Sequence, residues 1–241
     1  MLDVDSLICT LLEELSINLS LANNGFFGKS LAPVCKALNY QTSLLELDLS
    51  GNFVDTDCII KLCSSLPTLT NLCVLNLRST GLVSSHLAEL VKVFTSISTP
   101  VLQKLSSLDL SDNFLRDKSL LHLSQITRHL KLTNINLSNV RFTGNIFKEM
   151  GNDNIQLNLS EIHSLDLSDN ELGTDDINKF ISWTSPGKLC FLNVSRNDSG
   201  NQGILGTLID VIRDNESDLE LKSLDLSRCN VQESELYEFL R

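Results

Sequence analysis

The sequence predicts an α/β solenoid in which strand and helix units stack along one axis. Variants of the motif LDLS return through nearly the whole chain of 241 residues, in segments that start 27 to 33 residues apart. Each segment is followed by apolar residues at spacings of three and four. A regular period of this length indicates one supersecondary unit that is repeated and stacked. The eight segments begin at residues 16, 44, 72, 105, 132, 162, 189 and 221.

The first half of each unit is predicted to be a short strand. In LLELDLSGNFV (44–54) apolar and polar residues alternate, so Leu47 and Leu49 point to the same side of the strand. A strand this short buries its apolar side only when neighbouring units stack in register and form one parallel sheet. We therefore expect about eight strands, one from each unit, in a single sheet.

An asparagine marks the turn that follows most of these strands. Its side-chain amide is expected to bind backbone groups that the turn leaves unpaired. Because valine has no polar side-chain atom, we expect the unit that contains Val140 to be locally irregular. Asparagine is present at Asn24, Asn52, Asn113, Asn170 and Asn197, and it is replaced by Thr80, Val140 and Cys229.

The second half of each unit is predicted to be a helix, because its apolar residues follow helical spacing. The predicted helical segments are 58–66, 86–94, 119–126, 176–183, 203–212 and 234–240. The pattern LxxLxLxxNxL with long units resembles the ribonuclease-inhibitor-like class of leucine-rich repeats over residues 16–241. The resemblance implies a horseshoe with a concave parallel sheet, convex helices and a single solenoid domain. Residues 1–15 are expected to form an N-terminal helix or cap.

The composition indicates the cellular compartment of the protein and excludes some classes of partner. The formal net charge of −11 argues against an interface built on phosphate contacts, so no nucleic-acid partner is expected. The seven cysteines are not clustered and lack metal-ligand spacing, which predicts reduced, buried thiols and an intracellular protein. No apolar run reaches the ~18 residues of a membrane span, so no membrane partner is expected. Neither end shows a polar cap, and we expect a longer protein or a partner that covers the last apolar face.

The sequence offers no converging catalytic groups. The histidines His86, His122, His129 and His163 fall in different repeats, and His86 and His122 are expected on the outer face of helices. No glycine-rich phosphate loop occurs. We therefore predict no catalytic residue, no metal site, no cofactor and no small-molecule ligand.

The concave side of the sheet is the predicted partner-binding surface. Between the two strand leucines of each unit lies one polar residue, and aspartate occupies this place on every other strand. A row of carboxylates suits an extended or helical protein segment that carries basic residues. The same residues are also typical of this repeat class, where they can be ordinary solvated strand residues. The predicted binding residues are Asp48, Asn76, Arg78, Asp109, Asp112, Asn136, Asp166, Asp169, Phe191, Asn193 and Asp225.

The order of long and short repeats suggests a family. The segment QTSLLELDLSGNFVDTDCIIKLCSSLPTLTNLCVLNL (41–77), followed by TPVLQKLSSLDLSDNFLRDKSLLHL (99–123), is similar to the C-terminal leucine-rich region of Tonsoku-like proteins. The resemblance implies a non-catalytic protein-interaction module of a nuclear scaffold in replication-fork maintenance and recombinational DNA repair. The implied partner is the large companion subunit of that repair complex.

Two alternatives remain open from the sequence. One is a cytoplasmic sensor or inhibitor domain, as in immune receptors or ribonuclease inhibitor. The other is a GTPase activator similar to the Ran GTPase-activating proteins, which rely on an arginine in the concave rim. The arginines with a comparable place in this chain are Arg78, Arg196 and Arg228.

Overall fold

A computed structural model describes residues 18–95, 102–143, 147, 155–185, 187–197 and 220–239. The predicted N-terminal helix 1–15 and the predicted helix 203–212 lie outside these residues. The strands are β1 (Asn18–Ser20), β2 (Glu46–Asp48), β3 (Val74–Asn76), β4 (Ser107–Asp109), β5 (Asn134–Asn136), β6 (Ser164–Asp166), β7 (Phe191–Asn193) and β8 (Ser223–Asp225). The described helices are α1 (Ala32–Leu38), α2 (Thr56–Ser65), α3 (Ser84–Phe94), α4 (Ser119–His129), α5 (Thr174–Ser182) and α6 (Glu233–Phe239).

The eight strands form one parallel sheet in chain order, and every pair is in the register that the repeated motif predicts. The central residues of the strands lie side by side, and those of β2 to β7 are at most 2% exposed. This row consists of Leu19, Leu47, Leu75, Leu108, Ile135, Leu165, Leu192 and Leu224. The predicted α/β leucine-rich repeat solenoid is therefore confirmed.

The helices cover the inner side of this sheet with their apolar faces. In α2 the buried residues Cys58, Ile59 and Leu62 follow helical spacing, and the core extends from them to the strand leucines. The helix begins where it does because Asp55, in extended conformation, accepts a hydrogen bond at 2.8 Å from the backbone N–H of Cys58. In α2, local capping and burial of one face thus act together to fix the helix against the sheet.

Each strand is followed by one residue in the left-handed conformation, which turns the chain away from the sheet. These residues are Asn23, Gly51, Ser79, Asp112, Asn139, Asp169, Arg196 and Arg228. Most are small polar residues or glycine, which adopt this conformation at low cost. Gly51 also has a packing reason, because a Cβ atom there would lie 2.0 Å from the Oδ1 atom of Asn23.

The asparagine after this turn joins each repeat to the one before it. The Oδ1 atom of Asn113 accepts hydrogen bonds from the backbone N–H groups of Thr80 and Leu82, at 3.1 and 2.8 Å. Its Nδ2 group donates to the carbonyls of Leu77 and Leu110, at 2.8 and 2.9 Å. Asn113 is 1% exposed, so these backbone groups have no access to water. Asn52 and Asn170 make the same two-sided contacts.

Where asparagine is replaced, other atoms take part of its role. The hydroxyl of Thr80 donates to the Leu77 carbonyl at 2.6 Å, and the Cys229 thiol donates to the Val194 carbonyl at 3.1 Å. At Val140 the backbone carbonyl accepts from the N–H group of Arg116 at 2.9 Å. Strand β5 of the same repeat is in full register with β4 and β6. The irregularity expected at Val140 therefore does not reach the strand.

Replacing a buried asparagine should destabilise the stack more than replacing an exposed one. Asn113→Ala leaves two N–H groups and several carbonyls buried without their partner, which should lower the free energy of unfolding by about 2 to 4 kcal/mol. The matched change Asn134→Ala, at an exposed strand position, should lower it by less than about 0.5 kcal/mol. Urea unfolding of the two variants measures the difference, and equal losses would refute this role for Asn113.

Candidate functional site

The solvent-facing side of the sheet carries the row of polar residues that the sequence predicts. The third residues of the strands are aligned by the register, and aspartate alternates with serine or asparagine along the row. The row is Ser20, Asp48, Asn76, Asp109, Asn136, Asp166, Asn193 and Asp225. We call its four carboxylates, Asp48, Asp109, Asp166 and Asp225, the acidic ladder. Neighbouring members are two strands apart, so they lie about 10 Å from each other.

The polar residues of this row have a structural role in the turn that follows each strand. One side-chain oxygen of each accepts a hydrogen bond, at 2.9 to 3.0 Å, from the backbone N–H two residues later. This contact is seen for Asp48, Asn76, Asp109, Asn136, Asp166, Asn193 and Asp225. Asparagine makes the contact as well as aspartate does, so the turn needs an oxygen acceptor and does not need a charge. The negative charges of the ladder are therefore additional to this structural requirement.

The carboxylates have polar neighbours but no ion pair within the part of the chain that the structure describes. The Ser20 hydroxyl donates to Asp48 at 3.2 Å, and the amide of Asn193 donates to Asp166 at 3.1 Å. Hydrogen bonds from the Ser227 side chain and its backbone N–H lower the pKa of Asp225. The described ion pairs are Arg78–Asp112, Lys92–Glu89, Lys188–Glu161 and Arg196–Asp169. The Arg196 cation also contributes to the lower pKa of Asp225. The ladder therefore presents negative charge that no ion pair among the described residues neutralises.

Three of the predicted binding residues, Arg78, Asp112 and Asp169, form ion pairs inside the protein. The Nε atom of Arg78 donates to Asp112 at 2.8 Å, and an Asn139 amide donates to the other oxygen of Asp112 at 2.8 Å. Asp169 pairs with Arg196 of the next repeat at 3.1 Å. These contacts join neighbouring repeats and neutralise both carboxylates. Asp112, Asp169 and Arg78 therefore differ from the acidic ladder, although they lie on the strand ends beside it.

Phe191 is the aromatic residue that the sequence places on this surface. It is the first residue of β7 and is 49% exposed. Its neighbours on the adjacent strands are the small residues Ser164 on β6 and Ser223 on β8. The ring therefore projects beyond the side chains on either side of it. An exposed ring between small residues is a suitable anchor for a partner chain.

The described cysteines and metal-ligating residues show no reactive cluster. None of these cysteines forms a disulfide, and burial raises the pKa of Cys35 and of Cys63 to about 12 and that of Cys58 to about 11. A thiol that stays protonated is a poor nucleophile and a poor metal ligand. Within the described ranges no group of three or more His, Cys, Asp or Glu could hold a metal ion. No helix among those residues is long and apolar enough to cross a membrane.

His86 differs from the sequence-based expectation. It was expected on the outer face of a helix, yet it is only 7% exposed, because it lies at the start of α3 against the preceding helix. Its Nδ1 atom accepts from the backbone N–H of Val83 at 3.4 Å, and its Nε2 atom contacts the Thr56 hydroxyl at 3.3 Å. Helical spacing placed His86 on α3. It did not show that the imidazole ring caps the start of this helix and is covered by the preceding helix.

Comparison with known proteins gives a sequence relationship over part of the chain. No protein-family model matches this chain. The chain is similar to Tonsoku-like proteins. It is 40% identical to the Tonsoku-like protein of Mus musculus and 37% identical to that of Bos taurus, in each case over 87 residues. These residues are 36% of this chain and 6% of the relative's length, so the chain corresponds to a small part of those proteins.

Solved structures with a related shape have little sequence in common with the chain. The actin-binding site 2 region of leiomodin-1 has a TM-score of 0.40 at 11% identity, and the match covers 90% of this chain and 91% of that one. Internalin C2 from Listeria monocytogenes has a TM-score of 0.48 at 17% identity, over 91% of this chain and 84% of that one. At these scores the fold assignment rests on the sheet and its register. The repeat architecture and the Tonsoku-like similarity support a protein-interaction module.

Protonation of His86 should destabilise the protein as the pH falls. Burial lowers the pKa of His86 below its ordinary value of 6.5, while the nearby Asp55 carboxylate opposes this effect. A pKa that is lower in the folded state than in the unfolded state gives stability that is present above pH 6.5 and is lost as the pH falls through the folded-state pKa. Urea unfolding between pH 7.5 and 5 should show a smaller loss for His86→Gln than for the wild type. His163→Gln, at an exposed site, should behave like the wild type.

Proposed function

We propose that this chain is a non-catalytic protein-interaction module that binds a basic segment of a partner protein along the acidic ladder. The observation that carries this proposal is the regular row of Asp48, Asp109, Asp166 and Asp225, which the strand register aligns at spacings of about 10 Å. Their charges are not required by the turns and have no ion-pair partner among the described residues.

The geometry favours an extended or helical segment that follows the sheet across several repeats. Lysine or arginine side chains at intervals of about 10 Å would each meet a carboxylate, which corresponds to every third residue of an extended chain in the polyproline II conformation, whose side chains return to the same face every three residues. Phe191 lies on β7, between the strands that carry Asp166 and Asp225, and supplies apolar contact area within the same surface. Asn76, Asn136 and Asn193 lie between the charges and offer neutral hydrogen-bonding groups to the partner backbone.

We further propose a nuclear scaffold role in replication-fork maintenance and recombinational DNA repair. The support is the similarity to Tonsoku-like proteins over 87 residues together with the repeat order that resembles their leucine-rich region. The partner we propose is the large companion subunit of that repair complex. This part of the proposal rests on the relationship, whereas the acidic ladder rests on the geometry of the chain itself.

The GTPase-activating alternative is less well supported by the arrangement of the arginines. An activating arginine must reach the phosphates of a bound nucleotide. Arg78 and Arg196 are instead held by Asp112 and Asp169 of neighbouring repeats, and of the three arginines only Arg228 is outside the described ion pairs. The sensor or inhibitor alternative also uses a protein interface, and identification of the bound partner distinguishes it from the scaffold role.

The test removes charge from the ladder without disturbing the turns. In Asp109→Asn with Asp166→Asn, the amide oxygen keeps the hydrogen bond to the backbone N–H two residues later, as asparagine does on β3, β5 and β7. Capture of nuclear proteins on the immobilised chain, followed by mass spectrometry, should show a loss of the main partner of about tenfold or more in this variant. The thermal midpoint should stay within about two degrees of the wild type.

A matched control carries the same change of charge on the helical side. Asp57→Asn with Asp175→Asn alters two exposed residues in the first turns of α2 and α5. This variant should retain the partner. Equal capture by the ladder variant and the wild type would show that the acidic ladder is not the interface, and capture of proteins unrelated to replication or repair would remove the nuclear role alone.

A further inference from the structure

A second surface lies on the rim of the solenoid, where the turns lead from the sheet toward the helices. Among repeats one to six, odd and even repeats differ at this rim, whereas repeat eight has Asn230 in the left-handed conformation at the same place as the odd repeats. After the asparagine position, repeats one, three and five contain a left-handed residue at Gly25, Gly81 and Arg141, with φ of +64°, +74° and +68°. The resulting loop places a residue of the odd repeat beside a residue of the next one. Parallel bridges join Phe27 to Phe53, Val83 to Phe114 and Thr143 to Glu171.

Three phenylalanines are exposed along this rim. Phe27, Phe53 and Phe114 have 69%, 59% and 52% of their surface in contact with solvent. These residues are exposed although their backbone is ordered, because each belongs to a backbone bridge between repeats. The Phe53 ring lies directly over Gly81, where an added Cβ atom would stand 2.8 Å from the ring. The backbone at these three positions is therefore ordered before any partner arrives, which reduces the entropy cost of binding.

Basic side chains surround the last of these rings. The Arg141 guanidinium lies over Phe114, 5.8 Å from the ring centroid, and Arg116 and Lys118 are exposed beside it. None of the three cations is in an ion pair with another described residue. Of the adjacent acids, Asp117 accepts hydrogen bonds from the Thr143 N–H and hydroxyl at 2.9 and 2.6 Å. Glu171 also lines the cleft beside Arg141, so with Asp117 it offsets part of the charge of the three cations. Arg116 and Lys118 border the neighbouring cleft, whose lining contains no acid. The surface around Phe114 therefore has a local net positive charge on a chain whose net charge is −11.

Two open clefts flank Phe114 and give this surface its shape. One, of about 560 Å³, is lined by Phe114, Arg141 and Thr143, among others. The other, of about 530 Å³, is lined by Val83, Phe114 and Leu115, among others. Arg116 and Lys118 border both clefts. Each cleft has room for a large apolar side chain, with cations within reach of its neighbours along a peptide.

We propose that this rim binds an acidic peptide segment of a protein partner, with an aromatic or aliphatic residue of that segment packed against Phe114. Carboxylates on either side of the anchor residue pair with Arg116, Lys118 and Arg141. The charge of this surface is opposite to that of the acidic ladder, so the two surfaces select different segments. A large acidic molecule such as a nucleic acid meets the field of the whole chain, whose net negative charge repels it. A short acidic segment contacts only the cations around Phe114, so it is the acidic partner that this surface favours.

The experiment is a selection from a random library of displayed 12-residue peptides on the folded wild-type chain. Counterselection uses a variant with Phe114→Ala, Lys118→Gln and Arg141→Gln. Peptides that bind the wild type and not the variant should be rich in Asp and Glu around an aromatic or aliphatic residue. In solution, fluorescence anisotropy of the enriched peptides should show that each of Phe114→Ala and Lys118→Gln with Arg141→Gln weakens binding by about tenfold or more.

Matched controls separate this surface from the rest of the chain. Tyr40→Ala removes an equally exposed aromatic residue elsewhere, and Lys92→Gln removes an exposed cation on α3, so both should bind the peptides as the wild type does. Asp109→Asn with Asp166→Asn should also bind them normally, whether or not the acidic ladder has its proposed role. Circular dichroism and thermal unfolding confirm that the variants are folded.

Several outcomes would overturn the proposal. They are the absence of peptides that depend on the rim, enrichment of neutral or basic sequences, and equal binding to the rim variants. Tighter binding of a single-stranded oligonucleotide, lost in the same variants, would identify a nucleic-acid surface instead. A concentration-dependent dimer that Phe114→Ala abolishes, measured by sedimentation, would assign the rim to self-association.

Discussion

The buried asparagine amide between repeats is the contact on which the rest of this structure depends. A strand of three residues makes few hydrogen bonds, and the turn after it leaves backbone N–H and carbonyl groups inside the protein. Asn52, Asn113 and Asn170 each bind such groups in their own repeat and in the preceding one. Each asparagine therefore completes the turn of its own repeat and fixes that repeat against the preceding one. Asn52, Asn113, Asn170 and Asn197 make this contact at alternate or neighbouring junctions, and the leucines beneath continue through the junctions where Thr80, Val140 and Cys229 replace the asparagine. The uniform register of the eight strands follows from the two together.

Uniform register determines what the surface can do. Because each strand is aligned with its neighbour, a residue type at one position of the motif becomes a line across the protein. The aspartates at the third strand position form the acidic ladder, while the turn only requires an oxygen acceptor that asparagine also supplies. The loops on the rim follow a second rule, since odd and even repeats alternate there from repeat one to repeat six, and Phe27, Phe53 and Phe114 are exposed in these loops. The cations around Phe114 and the acidic ladder have opposite charge and leave room for two partners.

Much of the fold could be predicted from the sequence, because leucine spacing and the asparagine position depend on the chain within one unit. The strand positions, their order and the row that contains Asp109 and Asp166 follow directly from the period. The pairing of Arg78 with Asp112 was not predicted, since it depends on how far two side chains of adjacent repeats reach. The burial of His86 was missed for a similar reason: its position on the helix was clear, but the neighbour that covers it comes from another repeat. The alternation on the rim depends on left-handed residues such as Gly25 and Gly81, and its signal in the sequence is the glycine that recurs in two of the odd repeats.

Hydrogen exchange at the backbone N–H groups of Val140 and Phe142 tests the central claim most directly, because Asn170 of the next repeat accepts from both at 3.1 Å. In the wild type, these N–H groups should exchange at the same slow rate as the N–H groups of the central strands. In Asn170→Ala they should exchange at least about tenfold faster than in the wild type, because the buried groups lose their acceptor, while the N–H groups of β2 and β3 change little. Unchanged protection at Val140 and Phe142 in this variant would contradict the view that the asparagine amide holds the repeats together.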